Sequence, residues 1–258
     1  MNDYGAVEAA IAKLATALRR SQEDYFRAQE LMKVDREEAI NNLDAAFEAK
    51  LEAFHSLYDV SKDLFAFHEH PDTALVIALR NAIHHRNHPL FRTLLDRLFL
   101  DDGVDRWVGA VFLIGRHPSS VGGPIAINHR LRLDDIEARL DPAAGSPYFD
   151  TFTKKAAARF ALIDQGLNLE DLRRTAKAEG YPTKQVYLDV MPVFVSAVRR
   201  VFETLQALGV PFRGFDAEVY GPWFTKHVAI DLSRLEYQAK PVPIWLVGMT
   251  NDAAASAG

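Results

Sequence analysis

Ala78-Leu79-Arg80-Asn81-Ala82-Ile83-His84-His85-Arg86-Asn87-His88-Pro89 is the stretch on which the reading of this chain turns. It gathers arginine, asparagine and histidine within little more than two helical turns, and no other segment concentrates groups that titrate near neutral pH in this way. The helix around it is expected to begin at Pro71, since proline suits a first helical position, and to run to about Asn87. Pro89 then biases His88 away from helical geometry. On a helical wheel at about 100° per residue, Leu75, Ala78, Leu79, Ala82 and Ile83 share a core face. Arg80, Asn81, His84 and His88 fall opposite, His85 lies at the margin, and Ile77 sits inside the polar band. An apolar residue in that band points to a helix–helix or subunit interface.

Working outward, apolar residues recur at helical spacing from Val7 to about Met32. Asp35 with Glu38 three residues on forms a capping-box start. The second helix then runs through Ile40, Leu43, Phe47, Leu51, Phe54 and Leu57 to about Val60. Its charges read as a solvated face. A further amphipathic helix is expected from Leu90 to about Leu100. The character then changes. Trp107–Ile114 and Ile125–Leu133 read as the two strands of a hairpin joined by the long loop His117–Pro124. Helices are expected at about Tyr148–Gln165, Asn168–Ala178 and Thr183–Leu208, with Pro192 kinking or restarting the last. Pro241–Val247 is a further strand candidate that would join the hairpin. The fold expectation is therefore mainly α. It comprises a helical bundle over residues 1–103, a β-hairpin and C-terminal helical region over 104–250, and a disordered tail over 251–258. Continuity between the two regions is left open.

Composition narrows the function. The 258 residues are 48% hydrophobic and 25% charged with a formal net charge of −5, which is ordinary for a globular protein. It gives no broad cationic surface for duplex nucleic acid, so any such contact must be local. There are no cysteines, so disulfides, cysteine nucleophiles and thiolate zinc sites are excluded. An early acid and an interrupted apolar run argue against a signal peptide, and no apolar run approaches the ~20 residues of a membrane span. The expected location is cytoplasmic, with no membrane partner.

Arginine presents a planar donor fork matched to phosphate, histidine exchanges protons near neutral pH, and asparagine orients either partner. Together they suit metal-free RNA cleavage, in which a base deprotonates a 2′-hydroxyl and a cation stabilises charge on the phosphate.

Arg80-Asn81-x-x-x-His85 resembles the R-x4-6-H motif of HEPN domains, where a polar residue often follows the arginine. The resemblance implies an antiparallel helical bundle and a homodimer whose two motif copies face one cleft. It also implies metal-independent endoribonuclease activity without a cofactor, in a toxin–antitoxin or phage-defence setting. RNA would be the substrate, with an antitoxin or regulatory protein as partner. By position, Arg80 would bind phosphate, Asn81 would orient and His85 would be the catalytic histidine, with His84 and His88 auxiliary. The motif itself covers six residues.

The same residues admit other readings. Arg86, His85 and His88 suit the negative end of a helix dipole. His84 and His88 have the i, i+4 spacing of two metal ligands, with His68, Glu69 and His70 nearby, but the H-E-x-x-H pattern is absent. Ser119–Gly123 could cradle phosphate, yet reads as a plain loop. Arg130, Arg132, Lys154, Lys155 and Arg159 could guide RNA or form solvated surface. Tyr220, Trp223 and Phe224 could stack on bases or pack in a core. The function from another class is a non-catalytic RNA- or protein-binding scaffold.

Overall fold

The computed structural model describes residues 4–84, 90–101, 103–121, 125–151, 155–213, 215–222 and 227–242. It is mainly helical, with a small mixed sheet. Helices α1 (Gly5–Leu31) and α2 (Arg36–Ser61) form a long helical hairpin. The Asp35 side chain accepts from the Glu38 N–H at 3.0 Å, satisfying one orphan donor of the first turn, a cap worth about 1 kcal/mol. Helix α3 (Pro71–His84) begins at the expected proline. His85, Arg86, Asn87, His88 and Pro89 lie outside the described residues.

Helix α3 is buried nearly all round, because α2, α6 and α8 all pack against it. This corrects the wheel. Ile77 is only 3% exposed, and it lines a recess with Phe160 and Ile163 of α6. It is a core residue within one chain, so it lends no support to a subunit interface. The packing is close enough to demand glycine at the end of α6 (Ala156–Gly166). A Cβ on Gly166 would lie 2.5 Å from both Cβ and Cγ of Pro71, and a proline ring cannot swing aside. Gly166→Ala is accordingly expected to destabilise by about 1–3 kcal/mol, an overpacking cost measurable by urea unfolding. A change within about 0.5 kcal/mol would show that the two helices can part at this point.

Residues 90–93 are not the start of a helix. Thr93 instead caps the single turn α4 (Leu94–Asp96), which widens into a π-helical turn over Arg97–Asp101. Phe91 has φ 67° and leaves the helical path. After a 3₁₀ turn at Val104–Trp107 come β1 (Val111–Arg116), β2 (Ser119–Val121), β3 (Arg130–Arg132) and α5 (Leu133–Leu140). Helix α6 starts eight residues later than the Tyr148 expected from sequence, and α7 (Leu169–Ala178) follows it. Then come β4 (Val186–Asp189), α8 (Met191–Ala207), α9 (Phe215–Pro222), β5 (Ala229–Ile230) and β6 (Glu236–Pro241).

The main sheet has the order β3-β4-β1-β6. This overturns the hairpin expectation. β1 and β3 never pair, because β4 lies between them, parallel to β1 and antiparallel to β3. β4 was hidden inside the expected Thr183–Leu208 helix. Its four residues are all buried, and Pro192 restarts the chain as α8 in that helix's first turn. β6 does join β1, as its antiparallel neighbour, but ends at Pro241 rather than beginning there. Residues 243–258, including most of the expected strand and the tail, lie outside the described residues. Ser119–Val121, expected as loop, pairs with β5 as a separate two-stranded ribbon. Gly122, Gly123 and Pro124 of that loop are not among the described residues.

Both faces of the central pair are covered, as parallel strands require. Leu113, Val186 and Leu188 face the large core shared with the helices. Phe112, Ile114 and Tyr187 face a second cluster with Leu94, Leu98, Val104 and Val242. The large core draws on residues from Val7 to Val210, on both sides of residue 103. No described helix is long and apolar enough to cross a membrane.

Candidate functional site

The last turn of α3 carries Arg80, Asn81 and His84 beside α2. One Arg80 terminal nitrogen donates to Glu52 Oε2 at 3.0 Å, and the other reaches Asn81 Oδ1 at 3.4 Å. Arg80 Nε is buried without a hydrogen-bond partner, so only part of the guanidinium fork is engaged. His84 Nδ1 lies 3.4 Å from Glu52 Oε1. Glu52 thus binds the arginine with one oxygen and approaches the histidine with the other. Partial burial alone would raise its pKa, but the Arg80 hydrogen bond and the charges of Arg80, His84 and His55 hold it below the usual value. His55 is held low in turn, by burial and by the Arg80 charge, against the opposing pull of Asp59 and Glu52. Glu48, Leu51 and Ile83 complete a pocket around Arg80, Glu52 and His84. On the other side of α3, Asn81 shares a recess with Arg139 and Arg159.

Of the predicted site residues, the structure therefore brings together Arg80, Asn81 and His84. His85 and His88 lie outside the described residues. What the sequence reading missed is the partner set on α2. Asp44, Glu48 and Glu52 recur every four residues, which puts all three carboxylates on one helix face. That spacing was visible, but a carboxylate row on a charged helix reads as solvated surface.

The row leads inward to a second polar group. Glu48 and Ile83 also line an adjoining cleft with Asp44, Phe91, Arg92, Thr93, Asp96 and His129. Burial and the charge of Asp96 raise Asp44 to about 7, with Glu48 adding to the rise and a hydrogen bond from Thr93 at 3.3 Å opposing it. Deeper still, Lys50 is 2% exposed and its ammonium meets the Met191 thioether at 3.5 Å. It lies over the rings of Phe47 and Phe194, at 5.5 and 5.9 Å from their centroids. The His129 ring stacks on Phe47 with centroids 3.7 Å apart. Its backbone N–H donates to Asp189 Oδ1 at 3.1 Å, which anchors the approach to β3 against the end of β4. Burial, then the Lys50 charge, pushes His129 well below its ordinary value, so it is neutral at pH 7.

Two histidines of the rival metal reading, His68 and His70, sit in aromatic contacts. His68 contacts the Tyr58 hydroxyl at 3.3 Å and His70 stacks on Phe65. Among the described residues no three histidine, aspartate or glutamate side chains are grouped to hold a metal ion. Arg132 is tied to Asp135 and Arg130 is partly buried, so neither is the solvated surface expected from sequence. Lys154, Trp223 and Phe224 lie outside the described residues.

The chain matches no protein-family model, no curated protein and no solved structure.

Proposed function

We propose that the α3 site cleaves RNA without a metal, in the manner that the HEPN-like motif implies. The observation that carries this reading is the Arg80 fork, held by Glu52 beside Asn81 and His84 at the solvent-facing end of α3. A phosphate arriving there would meet the terminal nitrogens of Arg80, which Glu52 and Asn81 hold in place, and Arg159 lies beyond Asn81 to attract the rest of a polyanion. Histidine supplies the proton transfers, with His85 as the motif's base. The base takes the proton of the 2′-hydroxyl, the oxygen attacks the adjacent phosphorus, and the bond to the 5′-oxygen breaks as that oxygen takes a proton. The products are a 2′,3′-cyclic phosphate and a 5′-hydroxyl. Arg80 stabilises the charge on the non-bridging oxygens. DNA lacks the attacking hydroxyl and is not a substrate by this route. The resemblance further implies that two copies share one cleft, which sedimentation of the intact chain tests directly.

End-labelled structured and single-stranded RNA incubated in EDTA with wild-type protein should yield fragments ending in cyclic phosphate. Arg80→Ala and His85→Ala should each slow cleavage at least ~100-fold while leaving the circular dichroism spectrum unchanged. Cleavage that survives both substitutions removes the proposed site. Absence of cleavage with every RNA returns the chain to the scaffold class.

A further inference from the structure

Lys50 is a buried cation without an anionic partner among the described residues. An ammonium offers three donors, and the acceptor Lys50 meets is a thioether, one of the weakest in proteins. Burial is the sole cause of its lowered basicity, with no charged neighbour contributing. A buried donor that has no hydrogen-bond partner among the described residues, Arg130 Nε, belongs to a residue lining the same cavity. His129 lines it as well, with its ring held flat against Phe47. The Asp189 charge acts on Arg130 and the Asp44 carboxyl lines the same cavity, but no described carboxylate acts on Lys50, so it is this ammonium that asks for an acceptor-bearing anion.

The size and walls narrow the choice. The cavity volume is about 30 Å³, against roughly 15 Å³ for a single water, so it holds a planar group of two or three heavy atoms better than a tetrahedral oxyanion. Leu43, Leu94 and Met191 supply apolar surface for a short alkyl chain. The wider cleft next to it, about 360 Å³, shares Asp44, Phe47, Thr93 and His129 and provides both an approach and room for the remainder of a ligand. We infer that this compartment binds a small monocarboxylate, with its carboxylate on Lys50 and Arg130 and its alkyl end along Leu94 and Met191. The site is separate from the Arg80 pocket and does not depend on RNA cleavage.

Sodium propionate titrated into the intact chain at pH 6.5, with sodium chloride balancing ionic strength, is expected to give saturable 1:1 binding by calorimetry. Carboxyl-labelled propionate should show matching carbon-13 line broadening. Lys50→Met should weaken binding at least tenfold, and Lys50→Gln, which keeps a polar tip without the charge, should do the same. Arg80→Ala should leave it unchanged. The inference is overturned by the absence of saturable binding, by wild-type affinity retained in either Lys50 variant, by loss in Arg80→Ala, or by an equal response to inorganic phosphate.

Discussion

Asp135→Ala is expected to lower the free energy of unfolding by about 3–5 kcal/mol, the usual result of removing one partner from a buried ion pair. Asp135 lies on α5 with no solvent exposure. Its Oδ2 accepts from Arg97 at 2.9 Å and from the Phe91 N–H at 3.2 Å, while Oδ1 accepts from Arg132 Nε at 3.1 Å and from a terminal nitrogen of the same guanidinium. One carboxylate therefore ties together α5, the end of β3, the π-helical turn and the left-handed residue Phe91. Alanine would strand two mostly buried guanidiniums and a backbone donor. Segment 90–93, which walls the cleft beside Asp44, would lose its anchor at the same time. Asp135→Asn keeps one acceptor and should cost less. Urea unfolding at pH 7 measures both, and a loss under about 1 kcal/mol for alanine would show that water replaces the carboxylate.

Lys50→Met should act in the opposite direction, raising stability by about 3 kcal/mol at pH 7. The Lys50 pKa falls from 10.5 to about 8 on folding because burial disfavours the charged form. Each pKa unit is worth about 1.4 kcal/mol. Between pH 8 and 10.5 the unfolded chain holds this proton more tightly than the folded one, so stability rises with pH across that window. Below about 8 the full penalty is present, and above 10.5 it is gone. Methionine has similar length and no charge, so it removes the penalty and fits beside Met191, Phe47 and Phe194. The difference between variant and wild type should therefore be largest at pH 7 and shrink towards pH 10.5. A wild type that is the more stable of the two at pH 7 would mean that Lys50 has an acidic partner in solution. A residue kept at such a cost to stability is most easily understood as serving a ligand, and the propionate titration tests that idea.

Local chemistry made the helical frame legible. Asp35 caps α2 through Glu38 as its spacing indicates, and Pro71 opens α3 because a proline lacks only a hydrogen bond that the first turn would not make. The Arg80–Asn81–His84 cluster was likewise readable, since residues one and four apart on a helix stay near one another in any fold. The strands were harder. Val186-Tyr187-Leu188-Asp189 is a short apolar run, and such a run reads equally well as helix or strand until its neighbours are known. Its place between β1 and β3 depends on a crossover through α5, α6 and α7, which no local pattern records.

Lys50 shows the boundary between the two kinds of information most sharply. Sequence alone determined that it falls on the row of α2 that carries Phe47, Leu51 and Phe54, because helical periodicity is a property of the local backbone. A lysine in such a row ordinarily reaches out to solvent along its flexible stem. Only the tertiary structure decided otherwise. Met191 and Phe194 of α8 and the approach to β3 at His129 close over the ammonium from distant parts of the chain. Burial is the sum of everything packed around a group, so the unpaired charge and the cavity became visible only when those segments were brought together.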